Sequence, residues 1–501
     1  MSSVPPTRLR ALNDHVLRTD GAFVLYWMVA ARRTRFNYGL QHAVERAREL
    51  DRPLVVLEAL RCDYRWASER FHRFVIEGMA DNASRFRAAG IRYYPYVEPT
   101  VGASRGLLEE LATRACEVVT DDFPAFMLPR MIEAGARRVS VRMTAVDSNG
   151  VLPMDAADRA FTTAHSFRRF LQKELREHLV EFPKADPLAR ANLPGPGRLP
   201  ASVVRRWPAT SMKHLTAPES LLRCLPVNHS ISGTQTRGGP RAARAILRSF
   251  IARIERYSEE RNRVDTPVTS GLSAYLHFGH LSSHEILAAV LDDGDWSIDR
   301  LSESTSGSRT GWWGLSPGSE AFVDQLVTWR ELGFNMCRRR ADHDRYDSLP
   351  GWALRTLADH AGDRREPLYR PAEFDAAETH DELWNAAQRQ LRRDGIIHNY
   401  LRMLWGKKIL EWSASPQAAL DIMIELNNRY ALDGRDPNSY SGIFWVLGRF
   451  DRAWGPERPV FGKVRFMASR NTARKLNVTG YLERYGRRDR GNQGIRRDTL
   501  F

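Results

Sequence analysis

The chain has 501 residues, 43% of them hydrophobic, enough to bury a sizeable core in roughly two or three domains. Its 75 Lys+Arg against 60 Asp+Glu give a formal net charge of +15, which favours an anionic partner, nucleic acid first, over the plainer reading of an Arg-rich surface. Cys62, Cys116, Cys224 and Cys337 form no CxxC pair, no window reaches the length of a membrane span, and MSSVPPTRLRALNDH lacks an apolar signal core. These features argue against a disulfide scaffold, a zinc finger and a membrane protein, and lead us to expect a soluble, cytoplasmic monomer.

Residues 1–20 read as a loose lead-in. Ala22–Ala30 (AFVLYWMVA) is a continuous apolar run, as in a strand buried on both faces. A helical pattern follows at Tyr38–Leu50, then a second buried strand at Arg52–Leu60 and a long amphipathic helix from Ser68 to Ala89. A third strand starts at Ile91 (IRYYPYVE), a helix covers Leu107–Arg114, a fourth strand starts at Cys116 (CEVVTDD) and a fifth at Arg137 (RRVSVRMTAVD). Strands alternating with helices predict βαβ units and a mostly parallel, Rossmann-like sheet over 21–180. No GxGxxG follows the first strand and no GxxxxGK(S/T) occurs, so a dinucleotide or nucleoside triphosphate site of the usual kind is not expected. Residues 181–228 are proline-rich and weakly periodic, which predicts a linker. Residues 229–484 read as almost wholly helical. They are interrupted by a Gly/Ser-rich loop at Ser302–Glu320, whose Trp312 and Trp313 are either exposed or tucked back, and by the loop after Trp445. Residues 485–501 form a basic tail. The fold class expected is α/β plus all-α.

Three groups of residues could carry chemistry. TSGLSAYLHFG, from Thr269, places hydroxyl side chains and free N–H groups at a helix start, which suits a phosphate, although Ser and Thr are ordinary caps. His277, His280 and His284 share one helical face, but without acidic or Cys partners at ligand spacing they read as packing residues, and no metal is expected. The third group is Thr379–Phe466, which holds Trp384, Trp405, Trp412, Trp445 and Trp454 together with Arg402 and the acidic turn LDGRDPN. Taken alone, tryptophans in helices are core residues, and Arg402 with Asp433 is a structural ion pair.

The ordered series LWNAAQ, RM-x-W-x-KKILEW, LDGRDPN and ERPVFGK resembles the flavin-binding region of the photolyase/cryptochrome family, its class II branch most closely. The resemblance covers most of the chain and is strongest from Tyr257 onward. It implies a C-terminal helical FAD-binding domain, with FAD contacted by Tyr257, Thr269, Ser270, Leu272, Ser273, Trp384, Asn385, Arg402, Asn427, Asp433 and Gly434. Asn427 matches the position facing flavin N5, and Arg402–Asp433 the ion pair beside the flavin ring. Trp384, Trp405 and Trp412 match an electron-transfer chain. Met403, Trp445 and Trp454 match a pocket for flipped-out bases, which flat aromatic walls can stack upon. An antenna chromophore of deazaflavin or folate type in the N-terminal domain is a further family property that the residues here do not decide.

One position departs from the family. Where its helix carries a Glu that contacts the pyrimidine dimer, this chain has Gln325 in DQLVTWREL, with Trp329 one turn along. Gln can donate a hydrogen bond but cannot move a proton. HNY at His398–Tyr400 also differs from the class II pattern. The function implied is light-driven splitting of cyclobutane pyrimidine dimers in DNA, held by backbone and flipped-base contacts. Gln325 motivates the alternatives of a cryptochrome-like photoreceptor or an enzyme for another lesion. A plain nucleic-acid-binding protein is the third possibility.

Overall fold

The computed structural model describes residues 3–266, 268–293 and 296–486. The chain folds into two compact units. The first comprises Met1–Asp158, Leu171–Ala252 and Ser270–Ser302; the second comprises Arg159–Phe170, Arg253–Thr269 and Glu303–Phe501. The whole of the expected linker, 181–228, therefore falls in the first unit, and the helical stretch from 229 is shared between the two. The basic tail expected at 485–501 lies, from residue 487 on, outside the described residues.

The first unit is built on a six-stranded sheet: β1 (Leu9–Ala11), β2 (Phe23–Trp27), β3 (Leu54–Leu60), β4 (Arg92–Val97), β5 (Ala115–Asp122) and β6 (Met143–Asp147), in the order β1-β6-β5-β2-β3-β4. All neighbours run parallel except β1, which lies antiparallel on β6. Every residue of β2 and of β5 is buried, as strands covered by helices on both faces require. The crossovers are α1 (Tyr38–Glu49), α2 (Glu69–Ala88), α3 (Leu107–Ala112) and α4 (Leu128–Ala136). Three elements differ from expectation, among them α4, which the sequence did not announce. The lead-in supplies the edge strand β1, whose three residues are too few to show a period. The fifth expected strand starts at Met143 rather than Arg137, because Val139 N–H still closes on Gly135 O (3.1 Å) after α4.

Strand order reverses between β2 and β5, where doubly wound folds open a crevice at the carboxyl ends of the strands. Here that position is closed by protein. The Asp121 carboxylate accepts the N–H groups of Val29 (2.9 Å), Ala30 (2.7 Å) and Ala31 (2.9 Å) and the Tyr26 hydroxyl. Burial, then the neighbouring Asp121, push the Tyr26 phenol well above its ordinary pKa, so it stays a donor. Asn37 caps α1 by accepting Leu40 N–H and ties the incoming loop by donating to Ala31 O (3.0 Å) and Arg33 O (2.9 Å). The proline-rich stretch does not hang free: Thr210 N–H bonds Pro95 O on β4, and Trp207 Nε1 donates to Ala103 O.

The second unit is helical. Its core is the Trp405 helix (Asn399–Trp412), buried over nearly all its length, which packs against the Trp384 helix (Glu382–Asp394), the Asn427 helix (Pro416–Tyr430) and the Trp445 helix (Pro437–Val446). Capping signals fix the ends. Asp381 accepts Trp384 N–H at the start of one helix and Gly395, at φ 67°, ends it; Ser415–Pro416 and Asp436–Pro437 begin two others. Trp312 and Trp313 are tucked in: both are buried, edge to face at 5.0 Å, with Glu320 accepting the N–H groups of Gly311 and Trp313. The architecture is the expected one, an N-terminal α/β sheet followed by a helical C-terminal half.

Candidate functional site

The site residues of the second unit gather around the Trp405 helix. From Leu401 to Leu410 only Arg402 and Met403 escape full burial, so both open from the same end of an otherwise enclosed helix. Arg402 Nη2 donates to both Asp433 oxygens, at 2.9 and 3.2 Å, and both side chains are mostly buried. The turn that presents Asp433 is dictated by sequence. A Cβ on Gly434 would lie 2.9 Å from Asn427 O and 3.1 Å from Ala431 O, Arg435 adopts φ 66°, and Asn428 Oδ1 accepts Arg435 N–H at 2.9 Å. Asn427, buried beside this turn, donates through Nδ2 to Ser439 Oγ (2.8 Å) and Asn428 Oδ1 (3.2 Å). Asn385 spends its amide on Thr379, accepting N–H and Oγ1–H and donating to the carbonyl.

The tryptophans form a connected array. Trp384 Nε1 donates to Trp405 O (3.0 Å), Trp405 Nε1 donates to Gln388 Oε1 (2.9 Å), and the Trp384 and Trp412 rings meet at 6.2 Å. All three are buried. Tyr257 is also buried, edge-on to Phe322 at 5.5 Å, and Arg261 O accepts from His398 Nε2 at 3.1 Å. Thr269 closes its segment of this unit. Ser270, Leu272 and Ser273 belong to the first unit, where Ser270 Oγ accepts Leu272 N–H and Ser273 begins a short helix.

Gln325 and Trp329 lie on a π turn (Asp324–Trp329) inserted between helices Pro317–Val323 and Arg330–Arg339. They are the two half-exposed residues of a buried turn and share one side of it. Asp324 points the other way and is fully engaged by Arg168, Nε–Oδ1 2.7 Å and Nη2–Oδ2 3.1 Å.

Trp445 and Trp454 are joined by residues that motif reading passed over. The Arg465 guanidinium sits 5.3 Å from the Trp445 ring and 3.9 Å from the Trp454 ring, held by Asp451 at 2.9 Å; Asp451 also accepts Trp454 Nε1 at 3.2 Å. Lys407 donates to Val446 O at 2.6 Å and lies 4.9 Å from the Trp445 ring. Burial, tempered by Asp451 and reinforced by Arg465, pushes its ammonium down to about 7. The signal for Arg465 was present in VFGKVRF, an Arg two residues past the ERPVFGK run.

The histidines of the 277–284 stretch serve packing. His280 Nδ1 accepts Gly239 N–H at 2.9 Å, and His284 meets the Tyr38 and Phe182 rings edge-on. Among the described residues no helix is long and apolar enough to cross a membrane.

Arg402 Nε is buried with no hydrogen-bond partner. Buried donors are nearly always paired, so this N–H, next to a neutralised guanidinium and a buried amide, suits a bound planar group rich in acceptors, which a flavin is.

No protein-family model matches the sequence. Three full-length relatives are each named deoxyribodipyrimidine photo-lyase. The protein from Methanothermobacter thermautotrophicus is 33% identical over 95% of this chain and 97% of its own length. Those from Arabidopsis thaliana and Oryza sativa are 31% and 34% identical, covering 96% and 92% of this chain and 92% and 87% of their own lengths. In fold, the chain is similar to a bacterial class III photolyase from Agrobacterium tumefaciens, with TM-score 0.67 at 16% identity over 93% of this chain and 86% of that one. With a fold of this kind and relatives this similar along nearly their whole length, the chain belongs to the photolyase/cryptochrome family and is an enzyme of its deoxyribodipyrimidine photo-lyase group.

Proposed function

We propose that the chain is a class II-like photolyase that binds FAD and uses blue light to split cyclobutane pyrimidine dimers in DNA. The observation that carries this reading is the Arg402–Asp433 pair, with its unpartnered Nε–H, on the same helix as Trp405 and Trp412. When bound, FAD supplies the light absorption and the one-electron chemistry. The chain's residues do the rest. Arg402 places a positive charge against the flavin ring and favours its reduced, anionic form, while Asp433 keeps that charge affordable inside the protein. Asn427, whose two Nδ2 hydrogens go to Ser439 and Asn428, keeps its Oδ1 to accept from a protonated N5, which suits the reduced flavin. Trp384, Trp405 and Trp412 carry electrons inward. Met403, Trp445 and Trp454 hold the flipped bases, and Arg465 keeps the two indoles aligned. The net charge of +15 attracts the phosphate backbone without regard to sequence.

Replacing Asp433 with Asn is expected to leave Arg402 as an uncompensated buried cation, a cost of about 3–5 kcal/mol. The protein should then purify with a small fraction of the wild-type flavin content, read as flavin absorbance per polypeptide. Full flavin content would remove Arg402–Asp433 from the cofactor site.

The deciding experiment is blue-light repair of an oligonucleotide carrying one cyclobutane dimer, with pre-reduced protein and a dark control. Light-dependent return of the two pyrimidines is expected. Gln325 gives a neutral hydrogen bond where a carboxyl could stabilise developing charge, a difference of about tenfold in rate. Gln325→Glu is therefore expected to raise repair per absorbed photon. If neither protein restores the dimer while both photoreduce, Gln325 favours the second reading, a photoreceptor or an enzyme for another lesion. The absorption spectrum of the purified protein decides whether a deazaflavin or folate antenna accompanies FAD.

A further inference from the structure

Lys407 lies one helical turn past Met403, so the two share a face of the Trp405 helix. Met403 is half-buried, and Lys407 is fully buried. What seals it is the Trp445 helix. A Cβ on Gly406 would lie 2.5 Å from Val446 Cγ2, so the two helices touch there. Lys407 Nζ donates to the Val446 carbonyl at the C-terminal end of that helix, where the helix dipole is negative. It also lies 4.9 Å from the Trp445 ring. Among the described residues no carboxylate pairs with it. The charges that face it are Asp451 and Arg465, both on the segment after the Trp445 helix, and these are spent on each other at 2.9 Å. Lys407 is therefore an ammonium in a dry site with one carbonyl, one indole face and no counter-charge of its own. Such a cation is costly unless negative charge comes to it. Met403 and Trp445 are walls assigned to the flipped bases, so the charge that can come is the one on the lesion.

We propose that Lys407, set behind Trp445, is a positioning residue for dimer splitting, which holds positive potential across the pocket wall while the dimer carries an extra electron. The inference rests on the dimer-splitting reading of the proposed function. In that reaction the dimer gains one electron, its two cyclobutane C–C bonds break, and the electron leaves again, with no proton consumed. Lys407 neither gives nor takes an atom. Its field lowers the energy of the charged dimer and leaves the neutral one almost unaffected, so it acts on splitting rather than on binding. It thereby supplies charge stabilisation where Gln325 offers only a neutral hydrogen bond. Burial lowers the ammonium to about 7, with Asp451 opposing the shift and Arg465 adding to it. The group is cationic below that pH and neutral above it, so the advantage is present in mildly acidic solution and fades as pH rises.

The test uses flavin-loaded, pre-reduced protein saturated with an oligonucleotide carrying one cyclobutane dimer. Dimer affinity is measured in the dark and splitting per absorbed photon in blue light, both from about pH 6 to about pH 8.5. Wild type is expected to lose splitting yield roughly tenfold as pH rises through about 7, with dark affinity changed far less. The sign separates this from ionisation of the reduced flavin, whose anionic form gains with pH. Lys407→Met keeps the stem and drops the charge. It is expected to split weakly at every pH, with no step near neutrality, and to bind the dimer nearly as wild type does. Lys407→Arg, charged throughout, is expected to keep a high yield without the step. A Lys407→Met protein with the wild-type yield and profile overturns the proposal. So does a wild-type yield that does not fall with rising pH, a result that needs no variant to fold. Equal losses of dark affinity and splitting in Lys407→Met overturn it too, as the mark of a merely structural role. Wild type that splits no dimer at any pH while photoreducing normally overturns the dimer reading together with the proposal.

Discussion

Replacing Trp384 with Phe is expected to slow flavin photoreduction by roughly two orders of magnitude, equivalent to about 2.7 kcal/mol of barrier. Trp384 is the ring that touches Trp412, at 6.2 Å, and the one hydrogen-bonded to the backbone of Trp405. A phenyl ring is not oxidised under conditions that oxidise indole, so the substitution leaves a gap in the middle of the array rather than at its edge. The structural cost is smaller: a lost N–H donor to a buried carbonyl, about 1 kcal/mol, and a modest cavity. Melting temperature should therefore fall by only a few degrees while the photoreduction rate per bound flavin collapses. A Trp384→Phe protein that photoreduces at the normal rate would mean that electrons take another route.

The second large effect concerns folding. Asp121→Ala is expected to destabilise the sheet unit by about 4 kcal/mol or more, because three buried N–H groups and the Tyr26 hydroxyl lose their acceptor together. Against a total stability of about 5–15 kcal/mol, that is enough to leave much of the protein insoluble or to lower its denaturation midpoint sharply. Asp121→Asn retains one acceptor oxygen but turns an amide N–H toward donors, and should fall between the two. A midpoint unchanged in Asp121→Ala would mean that water substitutes for the carboxylate.

The sheet was legible where strands are long and covered on both faces, since β2 is an uninterrupted apolar run, β3 is broken only by Glu58, and β5 keeps an apolar start around Glu117 before its Thr120–Asp122 end. It was not legible at β1, whose three residues show no period, nor at α4, whose short segment Leu128–Ala136 carries two glycine or proline positions. The proline-rich stretch reads as a linker because composition cannot reveal that its backbone is spent on β4 and the loops beside it. In the helical half, motifs marked Arg402, Asp433 and the tryptophans, because each belongs to a run with little tolerance. Arg465 and Lys407 stand beside or inside conspicuous motifs, ERPVFGK and KKILEW, but the indole both meet, Trp445, lies twenty and thirty-eight residues away in sequence, so the motifs mark them without showing what they touch.

The π turn under Gln325 has a consequence for how this surface could change. Arg330 N–H reaches back to Gln325 O, so the segment holds one residue more than an α-helix would between the same ends. One residue is about 100° of rotation about the axis. Both flanks are anchored: Asp324 is clamped by Arg168, and Asn335 accepts Phe161 N–H and donates to Arg159 O. Losing a single residue here would let the helix run straight only by tearing one anchor away, whereas substitutions at Gln325 or Trp329 leave both in place. These two half-exposed side chains can thus be exchanged freely, but re-aiming them takes an insertion or deletion, a rarer kind of mutation, which makes the direction Gln325 faces more durable through descent than its chemistry.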